Sequence, residues 1–372
     1  MRIAQVAPLA EAVPPKMYGG TERVASWLTE ELVRLGHEVT LFASGDSKTS
    51  AELVACAPEG LRLAGIRDHT ASHLAMLAKV RERAASFDII HFHLDLLQHA
   101  VFTDLAQKCV TTLHGRLDLP DFLPVYHAFP QMPLISISDC QRCPMPATAN
   151  WLATVQHGLG RGLCPFDPRG GDYLAFLGRI TPEKRPDRAI EIAKQAGMPL
   201  KIAAKVDPVD EDYYRAEIKP LLDHPLIEFI GEIDEGQKAA FLAGARALLF
   251  PIDWPEPFGL VMIESMSAGT PVIAWRNGSV PEVIKDGVSG IIVDSIAEAV
   301  VAAERSVTMD RYEVRRYFES RFTAARMASD YLDAFNRLLG SSGGRQSAAQ
   351  WTQSRDALRP VQPGLQRGGA FG

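Results

Sequence analysis

Two carboxylates stand eight positions apart in Glu256-Pro257-Phe258-Gly259-Leu260-Val261-Met262-Ile263-Glu264, with Pro257 directly after the first. On one unbroken helix, eight steps of about 100° would leave them about 80° apart, so they would not aim at one point. Pro257 removes that arrangement. It pushes Glu256 into extended backbone before a helix that can begin around Phe258 or Gly259 and carry Glu264. The spacing therefore predicts a helix N-terminus flanked by two acids. Backbone N–H groups without intrahelical partners favour an anion or a hydroxyl-rich ligand there, and the carboxylates accept hydrogen bonds from sugar hydroxyls.

Cations suited to an anion occur upstream. Arg179 and Lys184 lie in Phe176-Leu177-Gly178-Arg179-Ile180-Thr181-Pro182-Glu183-Lys184, just after an apolar run that reads as a strand. This places them beyond a carboxyl end, where open α/β sheets bind ligands. Tyr18-Gly19-Gly20-Thr21-Glu22 opens the first helix, and its adjacent glycines admit close approach of a bulky ligand. It is not a G-x-G-x-x-G fingerprint, so a nicotinamide enzyme loses its main support. A plain structural loop is the competing reading. His114 ends the run Thr111-Thr112-Leu113 and should face the same cleft.

Two motifs suggest metal chemistry and fall short of it. His91-Phe92-His93-Leu94-Asp95 sets three ligand-type residues, two imidazoles and a carboxylate, on one face of a strand, a zinc-like spacing. Leu96 stands where a metallo-β-lactamase-like hydrolase would have another histidine, so a structural or strand-end role outweighs a metal site. Cys140 and Cys143 have redox or zinc spacing, but no second Cys/His pair completes a site, and free thiols are expected.

The elements that must position these residues are short apolar runs alternating with amphipathic stretches, the pattern of parallel sheets covered by helices. Strands are predicted near 2–7, 37–43, 88–93, 109–113, 133–137 and 152–156, then near 173–178, 200–204, 227–230, 246–250, 271–274 and 290–293. The clearest helix runs from about 21 to 35, with Val24, Trp27, Leu28, Leu32 and Leu35 at helical spacing and Gly36 as a stop. Cys164-Pro165-Phe166-Asp167-Pro168-Arg169-Gly170-Gly171 reads as a linker. The predicted organisation is a first domain over 1–165, a second over 166–320, a helix over 321–340 and a tail over 341–372. Few large apolar residues in that tail predict disorder, despite Trp351.

The segment from Glu256 to Glu264, continued by Ser265-Met266-Ser267-Ala268-Gly269-Thr270-Pro271-Val272, resembles the E-x7-E segment of retaining family-4 glycosyltransferases. The resemblance reaches to about residue 338 and is strongest over 174–294. It implies an α/β chain of the GT-B fold, two Rossmann-like doubly wound domains facing each other across a cleft. The first domain would take the acceptor and the second the nucleotide-sugar donor, with the 321–340 helix crossing back to the first. Arg179 and Lys184 match the family's diphosphate-binding pair, where fixed cations stabilise the charge gained by the departing nucleoside diphosphate without a metal. Glu256 would hold the sugar and the developing positive charge, and Phe258, Gly259 and Leu260 would bind its hydroxyls through backbone N–H groups. Glu264 would hold the ribose, His114 would touch the donor sugar, and Gly20 would approach the donor phosphate and acceptor. By the same resemblance, attack occurs on the face the leaving group vacates, and a donor phosphate oxygen takes the acceptor's proton.

Two departures from the family pattern matter. Ala203-Ala204-Lys205-Val206-Asp207 replaces a Gly-rich turn, and Lys205 could add a phosphate contact. In Asn277-Gly278-Ser279-Val280-Pro281-Glu282, Ser279 replaces a glycine, and Glu282 reads as a cap or ion-pair partner. No cofactor is implied beyond the co-substrate, expected to be a UDP- or GDP-sugar. The acceptor could be a sugar, a lipid or a small molecule, met by loops such as 58–72 and 115–130. A sugar-nucleotide epimerase of the same fold and a non-catalytic sugar-nucleotide binding protein are the alternatives.

Composition sets the outer bounds. With 47% hydrophobic residues and 23% charged, the 372-residue chain can bury ordinary globular cores. A net charge of −6 argues against nucleic acid as a partner. No apolar run approaches the ~20 residues of a membrane span, so membrane contact would be at most peripheral. The N-terminus reads as a first strand rather than a signal-peptide core, and five cysteines fit free thiols, so a cytoplasmic location is expected.

Overall fold

The computed structural model describes residues 1–16, 19–162 and 165–356, with 341–356 described as backbone only. Seven parallel strands form the first sheet: β1 (Arg2–Val6), β2 (Glu38–Ser44), β3 (Glu52–Ala57), β4 (Ile89–Phe92), β5 (Cys109–Thr112), β6 (Leu134–Ser136) and β7 (Trp151–Thr154). Their spatial order is β3-β2-β1-β4-β5-β6-β7. A second parallel sheet comprises β8 (Tyr173–Arg179), β9 (Leu200–Lys205), β10 (Ile227–Gly231), β11 (Ala245–Phe250), β12 (Val272–Trp275) and β13 (Gly290–Val293), ordered β10-β9-β8-β11-β12-β13. The chain reverses its direction of winding between β1 and β4 and again between β8 and β11, the switch points where such sheets open a ligand crevice.

No strand is predicted over 52–57, yet β3 forms there. It is the sheet's edge and has no fully buried residue, although residues 53–57 form a continuous apolar run. The first helix spans Gly20–Arg34, with Val24, Leu28 and Leu32 fully buried. Leu35 lies just outside it and is 42% exposed, while Gly36 takes the left-handed φ of 83° that stops a helix.

The two halves are tied by the last helix, Ala324–Asp356, which begins in the second half and packs on the first. At the crossing, Leu159 donates its N–H to the Phe322 carbonyl and accepts from Ala324 N–H, both at 2.8 Å. Met327, Tyr331 and Phe335 are fully buried in one core with Trp27, Leu28 and Leu32 of the first helix. The Tyr331 hydroxyl reaches Thr112 Oγ1, at the end of β5, at 3.0 Å. This helix continues as backbone to Asp356, across the start of the tail predicted to be disordered from 341. Residues 357–372 of that tail lie outside the described residues.

Candidate active site

Register decides which charged groups meet. In the pairing of β8 with β9, Arg179 sits opposite Lys205, and both are the last residues of their strands. Asp207 lies between them, 2.8 Å from Lys205 and 3.6 Å from Arg179, and Arg179 also reaches Glu183 at 3.5 Å. Burial pushes the Asp207 carboxyl up, but Lys205 and Arg179 outweigh it and hold it below the usual carboxylate range. Because β8 neighbours β11, the turn after one strand meets the loop after the other. Lys184 there makes a hydrogen-bonded ion pair with Glu256, 72 positions away, their side chains only 18% and 12% exposed. The Lys184 ammonium also lies 4.9 Å from the centre of the Trp254 ring, a cation–π contact.

The loop carrying Glu256 is held from several directions. Ser279 donates its N–H to the Glu256 carbonyl at 2.9 Å and its hydroxyl to the Phe258 carbonyl at 2.8 Å. Gly278 passes so close that a Cβ there would stand 2.3 Å from Glu256 N. From the first half, Ser138 donates to the Pro257 carbonyl at 2.6 Å, and Glu282 accepts from Asp139 N–H and Cys140 N–H, each at 2.8 Å. Glu282 is therefore a cap reaching between the two halves.

The predicted helix start at Phe258 or Gly259 needs correction. The helix is Leu260–Ser267, because Gly259 takes a left-handed φ of 79° that cannot continue as right-handed helix. A Cβ on Gly259 would also meet Met262 Cε at 2.7 Å. The Phe258 side chain is core, packed edge-on against His157 at 4.8 Å, so only its backbone faces the cleft. The N–H groups of Phe258, Gly259 and Leu260 have no hydrogen-bond partner among the described residues.

These groups line one cavity of about 390 Å³. Gly20, Glu22, Arg62, His114 and His157 face it from the first half, and Arg179, Lys184, Glu256 and the 258–260 backbone from the second. Gly20 stands opposite Leu260, whose Cδ1 would be 3.6 Å from an added Cβ. Gly19 is the more restricted of the pair, since a Cβ there would stand 2.8 Å from Pro15 Cβ. Tyr18 lies outside the described residues.

Lys205 and Glu264 line an adjoining cavity of about 180 Å³ instead. The Glu264 carboxylate, 6% exposed, is 2.5 Å from Lys238, which also reaches Glu235 at 3.0 Å. Glu235 in turn pairs with Arg23 of the first helix at 2.6 Å, so a network of four charges crosses the cleft. Burial lowers the Lys238 ammonium, but Glu264 and Glu235 more than compensate and leave it raised. Lys238 and Arg23 were not among the predicted site residues. The available signal was Asp234-Glu235-Gly236-Gln237, a capping box that opens the helix Glu235–Ala243 beside the cleft.

His114 belongs to a row of imidazoles. His93 Nε2 faces Gln5 Oε1 at 2.7 Å, and His93 Nδ1 faces His114 Nε2 at 2.8 Å. Gln5 Oε1 only accepts, so His93 donates from Nε2 and accepts the Nε2–H of His114, leaving His114 Nδ1 as a buried, unpartnered acceptor. Burial lowers His91 and His114 to about 3 and puts His93 and His157 well below the ordinary imidazole value. His91 Nε2 is taken by Thr112 Oγ1 at 2.7 Å. No group of three or more His, Cys, Asp or Glu among the described residues is placed to hold a metal ion.

Comparison with known proteins settles the family. A family model described as Glycosyl transferases group 1 matches residues 167–322, and one described as Glycosyltransferase Family 4 matches residues 18–157. The chain belongs to the family-4 glycosyltransferases. This glycosyltransferase is 27% identical over 337 residues to phosphatidyl-myo-inositol mannosyltransferase of Mycolicibacterium smegmatis, which covers 81% of this chain and 84% of that one. Among solved structures it is similar to AviGT4, a glycosyltransferase involved in avilamycin A biosynthesis, with TM-score 0.69, 21% identity, and 92% and 98% of the two chains covered. It is also similar to HepE of Anabaena in complex with UDP, with TM-score 0.68, 17% identity, and 91% and 100% covered. The fold is GT-B, two Rossmann-like domains facing each other across the cleft.

In this glycosyltransferase the cleft holds a carboxyl group that titrates far from its usual range. Glu22 is 5% exposed, and burial raises it to about 7 against its backbone hydrogen bonds and Arg62, with Glu11 reinforcing the rise. The ordinary glutamate value is 4.5, so between there and about 7 the folded state keeps a proton that the unfolded chain has lost. Stability must fall as pH rises through that window. Glu22→Gln is expected to remove the loss, gaining on the order of 3 kcal/mol at pH 8 relative to its effect at pH 4. Denaturant unfolding of both proteins at the two pH values measures it, and an effect independent of pH would show that Glu22 titrates alike in the folded and unfolded protein.

Proposed function

We propose that this glycosyltransferase is retaining and metal-independent and moves a sugar from a nucleoside-diphosphate donor to a hydroxyl acceptor. The observation that carries the reading is the Lys184–Glu256 ion pair beside Arg179 and the unpartnered N–H groups of Phe258 to Leu260. Without a ligand, the two charges neutralise each other. A donor entering between them would take the ammonium for its diphosphate and free the carboxylate for the sugar. The anomeric carbon–phosphate oxygen bond then breaks, and its electron pair leaves with the diphosphate. Arg179, Lys184 and the helix N-terminus stabilise that charge, and Glu256 stabilises the cationic sugar. The acceptor oxygen bonds to the anomeric carbon on the vacated face, and its proton passes to a donor phosphate oxygen.

Glu264, held by Lys238, would accept from the ribose hydroxyls, and Gly20 would leave room for the phosphates. His114, held neutral, would accept a hydrogen bond from the donor sugar at Nδ1 and would not serve as a charged acid. Lys205 faces the adjoining cavity and would act on the nucleotide only on release from Asp207. A UDP- or GDP-sugar is the proposed donor, in keeping with the UDP bound by HepE. The first domain would receive the acceptor.

Thermal shifts with UDP-, GDP- and ADP-sugars, followed by turnover with an acceptor panel in EDTA, test the reading. A matching donor at 100 times its dissociation constant should add about 2.7 kcal/mol of stability. Transfer should survive EDTA with the anomeric configuration retained. Loss of activity on metal removal, or inversion at the anomeric carbon, would sink the proposed mechanism. Interconversion of the donor with no acceptor present would identify the epimerase instead.

A further inference from the structure

A second cavity of about 370 Å³ opens beside the first, at the carboxyl ends of β1, β4 and β5. It shares Pro8, Thr21 and His114 with the larger cavity, so a molecule in it would face the position proposed for the donor sugar. Its volume is in the range of small-molecule sites. Asp95, the last member of the His91-Phe92-His93-Leu94-Asp95 motif, is exposed on its wall. The Asp95 carboxylate makes no hydrogen bond or ion pair among the described residues. His73 accepts Leu9 N–H at Nε2 at 3.0 Å, and its ring also hydrogen-bonds the His69 backbone. Leu94, Leu96 and Leu97 supply an apolar surface of the kind that receives the C–H face of a sugar ring.

No lysine or arginine lines this pocket among the described residues. The arginines on adjoining loops are engaged elsewhere, Arg62 with Glu11 at 3.0 Å and Arg116 with Asp118 at 2.7 Å. Burial lowers His73 and takes His114 down to about 3, so the imidazoles add no positive charge near neutral pH. A phosphate group here would meet an uncompensated carboxylate and no cation, whereas hydroxyl groups would find an acceptor at Asp95.

We propose that this pocket is the acceptor subsite and that it takes an unphosphorylated sugar or polyol, with Asp95 holding its hydroxyls. The inference rests on the glycosyltransferase reading for its role and on the pocket's own charge for its selectivity. Thr21 and His114 form the shared edge across which the acceptor oxygen would reach the donor.

The test is direct binding to the full-length protein, read by saturation-transfer NMR in the presence and absence of UDP. The probes are methyl α-D-glucopyranoside and myo-inositol, set against glucose 6-phosphate and myo-inositol 1-phosphate. Wild type should bind the unphosphorylated pair at least about tenfold more tightly than the phosphorylated pair. Asp95→Asn should weaken the unphosphorylated probes by about tenfold, and Asp95→Arg should reverse the order of preference. Thermal unfolding checks that both variants fold, as expected for a side chain without partners. Tighter binding of the phosphates by wild type, no effect of either substitution, or no binding of any probe would overturn the inference. Titration of the same samples with UDP and GDP reads the donor site separately. Binding of UDP with the wrong probe order sinks only the acceptor subsite, while the expected order without UDP or GDP binding sinks the proposed donor.

Discussion

Alanine at Lys184 is expected to weaken binding of nucleoside diphosphate and nucleotide-sugar donor about 10- to 150-fold, while nucleoside monophosphate affinity stays within about twofold. The range corresponds to a lost charge-assisted hydrogen bond of roughly 1.5–3 kcal/mol. The ion pair adds a second consequence. Glu256 would keep its mostly buried carboxylate without the Lys184 ammonium, so the free protein should also lose stability. A Lys184→Ala/Glu256→Gln double variant should regain stability without regaining diphosphate affinity. Calorimetric titration with UDP, UMP, GDP and GMP, together with denaturant unfolding, separates the two effects. Equal weakening of mono- and diphosphates would place Lys184 away from the distal phosphate.

Phe335→Ala is expected to destabilise the protein by about 3–5 kcal/mol, the usual cost of emptying a large aromatic site in a core. Phe335 is fully buried where the last helix lies against the first sheet, edge-on to His91 at 5.4 Å and 6.0 Å from Tyr331. Its loss would open a void beneath the row of imidazoles that runs from His91 through His93 and His114 to His157. Arg337→Ala, on the exposed side of the same helix, should change stability by no more than about 0.5 kcal/mol. Unfolding midpoints in denaturant measure both. A cost below about 1 kcal/mol for Phe335→Ala would mean that the crossing helix contributes little to holding the halves together.

Much of the fold is legible in the chain because interior parallel strands need continuous apolar runs. Runs such as Leu174–Leu177 and Ala247–Phe250 supply them and predict strands within a residue or two of those observed. β3 is missed although residues 53–57 are an apolar run, and as an edge strand it leaves that run partly exposed. The helix after Pro257 is legible in kind but not in its first residue. Gly259 offers both right- and left-handed backbone and takes the left-handed one, where an added Cβ would also run into Met262. Lys238 is marked in its own neighbourhood only by the capping box that opens its helix, since its importance comes from Glu264, 26 positions on, and through Glu235 from Arg23 on the opposite face of the cleft.

By itself, the sequence determined that two parallel-sheet halves form and that the acids and cations stand at strand ends and helix starts. Local backbone preference and apolar periodicity act over a few residues and leave their pattern in the order of the chain. Only the tertiary structure decided the partners. Lys184 meets Glu256 because β8 lies beside β11, Arg179 and Lys205 share Asp207 because their strands pair in one register, and the Asp95 carboxylate is left without a partner among the described residues. The same holds for the histidines, whose neutrality follows from burial between β1, β4, β5 and the last helix. Desolvation and ion pairing depend on distances in space that sheet order sets, and sequence separation does not encode them.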